Sequence, residues 1–215
     1  MQKSKGIENL RKEYRLRELL ESDAPANPFE LFEAWWNDAV ESKLEEPNAM
    51  TLATCNSEGR PSARIVLLKG FDNKGFRFFT NYNSRKAMDM EERHAVALCF
   101  LWKEIERQVR VEGVARKLSD QDNDDYFTSR PAESRIGAWS SPQSKIIENR
   151  SLLEKNVKMY ENKFGAHIPR PDNWGGYIVQ PEVIEFWQGR PGRLHDRLQY
   201  RLLEDSTWRI VRLAP

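Results

Sequence analysis

The sequence predicts an α+β domain built on a small, mostly antiparallel barrel. Three observations predict it: short runs whose apolar residues recur at every second position, turn signals between those runs, and amphipathic helical segments inserted among them. Neither a GxGxxG fingerprint nor a P-loop is present, which disfavours a doubly wound dinucleotide site. At 215 residues, 39% hydrophobic and 31% charged, with seven Trp and ten Phe, the chain is long enough for one sizeable core and globular rather than disordered. A mean hydropathy of −0.76 points to charged helices around a compact apolar centre.

Residues 5–22 are helix-prone and heavily charged, and are expected to order on contact with something else. "ANPFELFEAWWNDAVESKL" reads as a helix, with Asn27 as N-cap, Pro28 at its first position, and Phe29, Phe32, Trp36, Ala39 and Val40 as its apolar stripe. The period then changes to two. "AMTLATC", "SARIVLLKGF" and "GFRFFTN" are strand-like and separated by the turn signals "NSEGRP" and "DNKG". A short helix "SRKAMDMEER" precedes the strands "AVALCFLW" and "RQVRVEGVARKL". Ser119 opens a helix over "SDQDNDDYFTSR", and "SKIIENRSLLEKNVKMYENKF" reads as one long helix closed by Gly165. The end of the chain returns to strands at "GYIVQ", "VIEFWQ", "RLHDRLQYRLL" and "WRIVRL".

Composition excludes several function classes. Lys+Arg 34 against Asp+Glu 33 carries no polyanion-binding signature. The N-terminus lacks an apolar core and cleavage site, so no secretory signal is expected, and "AVALCFLW" is too short to span a bilayer. Cys55 and Cys99 lie in strand-like runs and read as buried free thiols in a reducing cytoplasm. His94, His167 and His195 are scattered, so no metal centre is expected.

Positive charge is nonetheless clustered. In "EFWQGRPGRLHDRLQYR" the residues Gly189-Arg190-Pro191-Gly192 are turn chemistry. If residues 193–201 form a strand, Arg193, His195 and Arg197 share one face at about 6.5–7 Å spacing, as an anion-binding stripe or as a solvated edge that resists pairing. Ser84 as N-cap puts Arg85 and Lys86 in a first helical turn, where cations oppose the helix dipole; a bound phosphate would reconcile the conflict, although two exposed side chains can also tolerate it. Tyr126, Arg130 and Ser134 can form an anion cradle with an aromatic wall, and Gln143 and Ser144 would open the long helix nearby. The run from Arg64 to Lys69 has a cation at each end of an apolar stretch, as a core strand reaching solvent would. There is no hydrolytic triad and no pair of carboxylates, so any chemistry belongs to a bound phosphorylated cofactor.

These residues carry a family resemblance. "RIVLLKGFDNKGFRFFTNYNSRKA", "ERQVRVEG", "YFTSRPAESRIGAWSSPQS", "WGGY", "IEFWQGRPGRLHDR" and "WRIVRLAP" resemble, in order and from Arg11 to Pro215, the pyridoxine (pyridoxamine) 5′-phosphate oxidase family. The resemblance implies an FMN-binding split β-barrel of Greek-key type with surrounding helices. It further implies a cytoplasmic homodimer with FMN at each of two interface sites. The implied reaction oxidises pyridoxine or pyridoxamine 5′-phosphate to pyridoxal 5′-phosphate by hydride transfer from C4′ to flavin N5. Reduced flavin then gives hydrogen peroxide with O₂. Carried over by motif, FMN contacts fall on Arg64, Ile65, Val66, Leu67, Leu68, Lys69, Phe79, Thr80, Arg85, Lys86, Gln108, Gln143, Ser144, Trp187 and Arg197. Substrate contacts fall on Lys69, Tyr126, Arg130, Ser134, Arg193, Leu194 and His195, with Arg193 and His195 as the catalytic candidates. Residues 1–25, with Arg11 and Tyr14 of "RKEY", match a segment that covers the site, and 26–215 would form a single domain.

The chain departs from the family pattern at Arg135, where Gln is usual, at Phe79, where Tyr is frequent, and in the turn that carries Arg190 and Pro191. Rival readings are another split-barrel flavoprotein with a different substrate and a non-catalytic module that sequesters FMN or pyridoxal phosphate. If Arg193 and Arg197 each supply a buried charged contact, Arg193→Ala or Arg197→Ala lowers kcat/KM by roughly 10²-fold in steady-state assays. Near-normal turnover in both variants would remove that role from this stretch.

Overall fold

The computed structural model describes residues 13–215, so Arg11 and the start of the helix-prone segment lie outside it. The chain divides into two compact units: one holds the residues up to Pro47 with Phe100–Arg110 and Val183–Pro215, the other Asn48–Cys99 with Val111–Glu182.

The second, larger unit is built on strands β1 (Ala49–Cys55), β2 (Pro61–Leu67), β3 (Gly70–Asp72) and β4 (Gly75–Asn81) with residues 95–99 of β5 (Ala95–Trp102), 111–117 of β6 (Arg107–Lys117) and 174–182 of β7 (Trp174–Gln188), in the sheet order β2-β1-β5-β6-β7-β4-β3. Pairing is antiparallel, with Leu52 opposite Arg64 and Leu98, and Phe79 opposite Gly176. Alternation decides which side chains go in: Met50, Leu52 and Thr54 of β1 are buried and their neighbours half-buried. The run 62–71 is not one strand. It breaks at Leu68 and Lys69, whose amides donate to Asn48 and Arg77 carbonyls, and this break ends β2 at the wall of a cavity. "GYIVQ" and "VIEFWQ" join in β7, which runs through Pro181. Gly113 permits the close approach of β6 to β7, since a Cβ there would lie 2.1 Å from the Gln180 carbonyl oxygen.

Helix α2 (Arg85–Glu92) starts at Ser84 as expected, but the Ser84 hydroxyl caps no amide. Helix α3 (Asp120–Ser129) is capped by Ser119, which accepts from the Asp122 amide at 3.1 Å. A further helix, α4 (Ala132–Ser140), begins after Pro131. The expected long helix is short: α5 spans Ser151–Phe164, and Ser144 has φ 68°, so Gln143 and Ser144 open no helix. Gly165 closes α5 with φ 53° as predicted. Cys55 and Cys99 are half-buried rather than buried.

In the other unit, α1 (Pro28–Glu41) is capped by Asn27, which accepts from the Phe29 amide at 3.0 Å. Its buried face is Phe29, Leu31, Phe32, Trp35 and Ala39, while Val40 is exposed; the stripe is rotated because Trp35, rather than Trp36, packs edge-on against Phe186. Val183–Gln188 of β7 pairs with β8 (Asp196–Leu202), and β8 pairs with β9 (Trp208–Arg212). Residues 14–20 form an extended strap that ends in a single 3-10 turn at Glu21–Asp23, not the expected helix. Its backbone is held from outside. The Glu106 carboxylate accepts from the Arg15 and Leu16 amides at 2.9 and 3.1 Å, Asp196 accepts from the Leu19 amide at 3.1 Å, and Arg212 donates to the Leu19 carbonyl at 2.9 Å. A helix over this stretch would have to surrender these bonds.

Arg212 also grips the Glu21 carboxylate with two nitrogens at 2.6 and 2.8 Å, and this pairing draws the Glu21 pKa from an ordinary 4.5 to about 2. A folded-state pKa below the unfolded one stabilises above the unfolded value and is lost as pH falls through the folded one. Protection of amides 19–23 against hydrogen exchange, relative to an unstructured peptide, should therefore decline between pH 4.5 and 2. Glu21→Gln should abolish that decline, and a flat wild-type profile would refute the anchor.

Candidate functional site

The larger unit contains a cavity of about 650 Å³, within the range of small-molecule sites. It brings together Arg64, Ile65, Val66 and Leu67 from the end of β2 and Lys69 just past it, Phe79 and Thr80 from β4, Lys86 from α2, Tyr126 from α3 and Arg130 at its C-cap, Ser134 from α4, and Gln143. Leu68 is buried and does not line it. Arg85 and Ser144 are exposed and also lie outside the lining. So of the two cations at the start of α2, only Lys86 turns inward.

Lys86 is half-buried. Its Nζ donates to Thr80 Oγ1 at 3.2 Å, Gln143 Oε1 at 3.3 Å and Ser84 Oγ at 3.4 Å, and burial together with the nearby Arg64 charge lowers its pKa. The bond to Lys86 explains the uncapped helix start, since the hydroxyl is turned to the ammonium. Arg64 is anchored to Thr54 Oγ1 at 2.7 Å, Ser62 Oγ at 2.8 Å and the Leu52 carbonyl at 3.2 Å, with buried Asp89 at 3.9 Å. Burial and the Arg85 charge lower its pKa, and Asp89 opposes them.

At the other side of the cavity Phe79, Tyr126 and Trp174 form a stack: Phe79 and Tyr126 are 3.9 Å apart at 20°, and Phe79 and Trp174 are 5.5 Å apart at 12°. The Arg130 guanidinium lies 4.5 Å above the Trp174 ring, and its Nη1 is buried without a hydrogen-bond partner. Burial lowers its pKa. Among the described residues, none of Lys69, Lys86 and Arg130 has a carboxylate partner within 4 Å. Buried donors left unpaired are costly, and a cavity that carries three cations without a counter-ion is shaped to take an anion.

Trp174 is absent from the residues that sequence reasoning places in the site, although the signal lies in "WGGY". Gly175 and Gly176 allow Tyr82, Leu118 and Phe79 to close on β7: a Cβ at Gly175 would sit 2.1 Å from Tyr82 Oη, and one at Gly176 2.6 Å from Leu118 Cδ1 and 2.8 Å from Phe79. Asn123, fully buried, secures the approach by accepting from the Gly176 amide at 2.7 Å and donating to Tyr82 Oη at 3.2 Å.

The remaining candidates belong to the other unit. Arg193, His195 and Arg197 do not form a stripe on one strand, because β8 begins only at Asp196. Gly192 and Arg193 both adopt the left-handed conformation, φ 64° and 63°, in a 3-10 turn that reverses the chain. Arg193 and Leu194 are exposed, and Arg193 has no carboxylate partner among the described residues. Arg197 is bound to buried Glu185 at 2.8 Å, which raises its pKa, and donates to the Ala214 carbonyl at 2.8 Å. His195 packs on Trp187 with centroids 4.6 Å apart and on Tyr14 at 5.7 Å. Tyr14, Gln108 and Trp187 line a second cavity of about 330 Å³ with Leu101, Lys103, Glu106 and Arg107. No group of His, Cys, Asp and Glu among the described residues can hold a metal ion, and no described helix is long and apolar enough to cross a membrane.

Residues 36–164 match the family model for pyridoxamine 5′-phosphate oxidase, and 174–215 match the model for the pyridoxine 5′-phosphate oxidase C-terminal dimerisation region. A pyridoxine/pyridoxamine 5′-phosphate oxidase of Cupriavidus pinatubonensis is 54% identical over 209 residues, 97% of this chain and 99% of that one. The protein of the same name from Trichormus variabilis is 53% identical over 97% of this chain and 98% of its own. Among solved structures, PhzG from Burkholderia lata in complex with tetrahydrophenazine-1-carboxylic acid superposes with a TM-score of 0.87 at 29% identity, covering 93% of this chain and 99% of that one. A pyridoxamine 5′-phosphate oxidase-related, FMN binding protein of Nostoc punctiforme gives 0.71 at 19% identity, covering 89% and 100%, and shares the fold. The fold is thus the split barrel of these proteins.

If Lys86 faces the anion, Lys86→Met should weaken binding of a phosphate monoester by roughly 10- to 100-fold, the value of one charged hydrogen bond, in calorimetric titration at fixed ionic strength. Unchanged affinity would show that the ammonium only braces Thr80 and Gln143.

Proposed function

The chain belongs to the pyridoxamine 5′-phosphate oxidase family, and from that premise we propose that it oxidises pyridoxine 5′-phosphate and pyridoxamine 5′-phosphate to pyridoxal 5′-phosphate with FMN as its cofactor. The observation that carries this reading is the cavity holding Lys69, Lys86 and Arg130 with no counter-ion among the described residues, beside a stacked aromatic wall. Such a lining fits planar ligands that each bear a phosphate. Lys86, Thr80 and Gln143, with Arg64 and Arg85, hold the FMN phosphate, and the backbone of 65–69 borders the ring. Lys69, Tyr126, Arg130 and Ser134 hold the substrate phosphate. The unpaired Nη1 of Arg130 supports this, since a phosphate oxygen would supply the missing acceptor.

FMN, when bound, would supply the hydride acceptor and a route for the two electrons, with two protons, to O₂ as hydrogen peroxide. The protein's task is alignment: fixing C4′ of the substrate against the cofactor removes the entropy of their encounter and excludes water from the ring faces. Arg193 orients the substrate and stabilises charge near C4′ and the ring oxygen, Leu194 borders the ring, and His195 orients it. With the amine, water then releases ammonia and leaves the aldehyde. Gln108, Trp187 and Arg197 complete the FMN contacts in a homodimer with FMN at each interface, a reading supported by the match to the dimerisation region. Tyr14, packed beside His195 and Trp187, is the described part of the N-terminal cover of the site, and the enzyme works in the cytoplasm.

The test is an anaerobic titration of the FMN-loaded protein with each phosphate ester, followed by admission of air. Bleaching of the flavin absorbance, recovery in air and appearance of an aldehyde are expected. Bound FMN that stays oxidised with both substrates would overturn the reading in favour of another split-barrel flavoprotein.

A further inference from the structure

Arg190 stands in the turn that precedes His195, and its contacts give it a use. Its side chain reaches the strap on one side, with Nη2 2.6 Å from the Glu18 carboxylate and Nη1 3.3 Å from the Arg17 carbonyl. On the other side Nε lies 3.5 Å from Asp196, which also accepts from the Leu19 amide and from Arg212. Three anchors therefore fix where the backbone of residue 190 sits. Its amide then points at a ring nitrogen: Arg190 N–H lies 3.1 Å from Nδ1 of His195. The preceding residue is pinned as well, since the Gly189 amide donates to the Glu106 carbonyl at 2.8 Å, and a Cβ on Gly189 would lie 2.7 Å from the Tyr14 ring.

A backbone amide can only donate, so the Nδ1 it meets must present its lone pair. A neutral imidazole with a bare Nδ1 carries its proton on Nε2. We propose that Arg190 is a positioning residue that holds His195 in the Nε2–H form, so that this histidine offers a hydrogen-bond donor rather than a base. The proposal rests on the oxidase reading only for what Nε2–H would face. The groups around the ring agree with a neutral imidazole: Trp187 and Tyr14 cover it, Arg193 carries a positive charge nearby, and Asp196 is engaged by Arg190, Arg212 and the strap. Burial and the Arg193 charge lower the His195 pKa, and Asp196 opposes them. Removal of the proton from a substrate hydroxyl or amine therefore falls to another group or to water, and His195 contributes orientation and a hydrogen bond to a substrate oxygen.

The full chain loaded with FMN and labelled with ¹⁵N in its three histidines tests this by NMR, at a pH where free imidazole is neutral. His195→Gln identifies the signals of that ring. The expected spectrum has a bare Nδ1 and a protonated Nε2 on His195. Arg190→Ala should mix the two tautomers and lower kcat more than it raises KM, and Glu18→Gln, which loosens the same anchor from the strap side, should do so to a lesser degree. A protonated Nδ1 in the wild-type protein, or an unmixed tautomer in both variants, overturns the proposal. Because the tautomer is read without substrate, a protein that oxidises neither phosphate ester would refute the oxidase reading and leave this result standing.

Discussion

Cations gathered into one partly enclosed cleft repel one another, and the protein has to hold them there without neutralising them. Lys86 and Arg64 illustrate the strain: each loses hydration on burial, and the charge of Arg64 further disfavours the ammonium of Lys86. A carboxylate in the cavity would relieve this, and would also cancel the charge that the cavity offers to an anion. The structure instead supplies neutral acceptors to Lys86 and a flat aromatic ring to Arg130, which steady both cations while leaving their charge uncancelled. Among the described residues the carboxylate that answers Arg64 is Asp89, set back at 3.9 Å and itself bound to Thr54 at 2.6 Å.

Much of the larger unit can be read as the support this arrangement requires. The aromatic stack depends on β7 carrying no side chains at 175 and 176, because any Cβ there would meet Tyr82 or Phe79. That in turn lets Asn123, on α3, bond the strand directly and set the helix that presents Tyr126 and Arg130. The break at Leu68 and Lys69 has a similar effect on the other side, since a continuous strand would carry Lys69 on along the sheet instead of leaving it on the cavity wall. Rigid elements thus hold the donors in place, and the ordering cost is met by folding rather than by binding.

Where local chemistry decides, the sequence could be read closely. The strands at 49–55, 75–81 and 95–102 coincide with the alternating runs, and Asn27 and Ser119 cap the helices they precede. Where long-range contacts decide, it could not. The strap looks helical by propensity, yet carboxylates of Glu106 and Asp196, remote in sequence, take its amides. Residues 144–150 share the helical composition of 151–164 but form no helix, and α4 is hidden behind a proline that looks only like a stop. The cavity residues are legible because a motif names side chains in order, while Trp174 escapes because the glycines beside it draw attention to backbone and not to the ring they make room for. The alternating pattern after Arg193 misleads for a physical reason: two successive left-handed residues turn the chain before any pairing begins.

A net charge of +1 says nothing about these distinctions, because it counts charges and not their partners. The arginines of the C-terminal stretch are mostly committed: Arg190 to Glu18 and Asp196, Arg197 to Glu185, Arg212 to Glu21 and Asp196. They tie the strap and the 189–195 turn to the strands behind them, and their charge is spent locally. Arg193 lies in the same turn, in a backbone conformation that an arginine rarely adopts, and has no carboxylate partner among the described residues. Lys69, Lys86 and Arg130 share that condition in the larger unit. A cation held in place without a carboxylate keeps its charge for an anion, and these four residues meet that condition among the described residues, whereas the charge of the paired arginines is already answered within the protein.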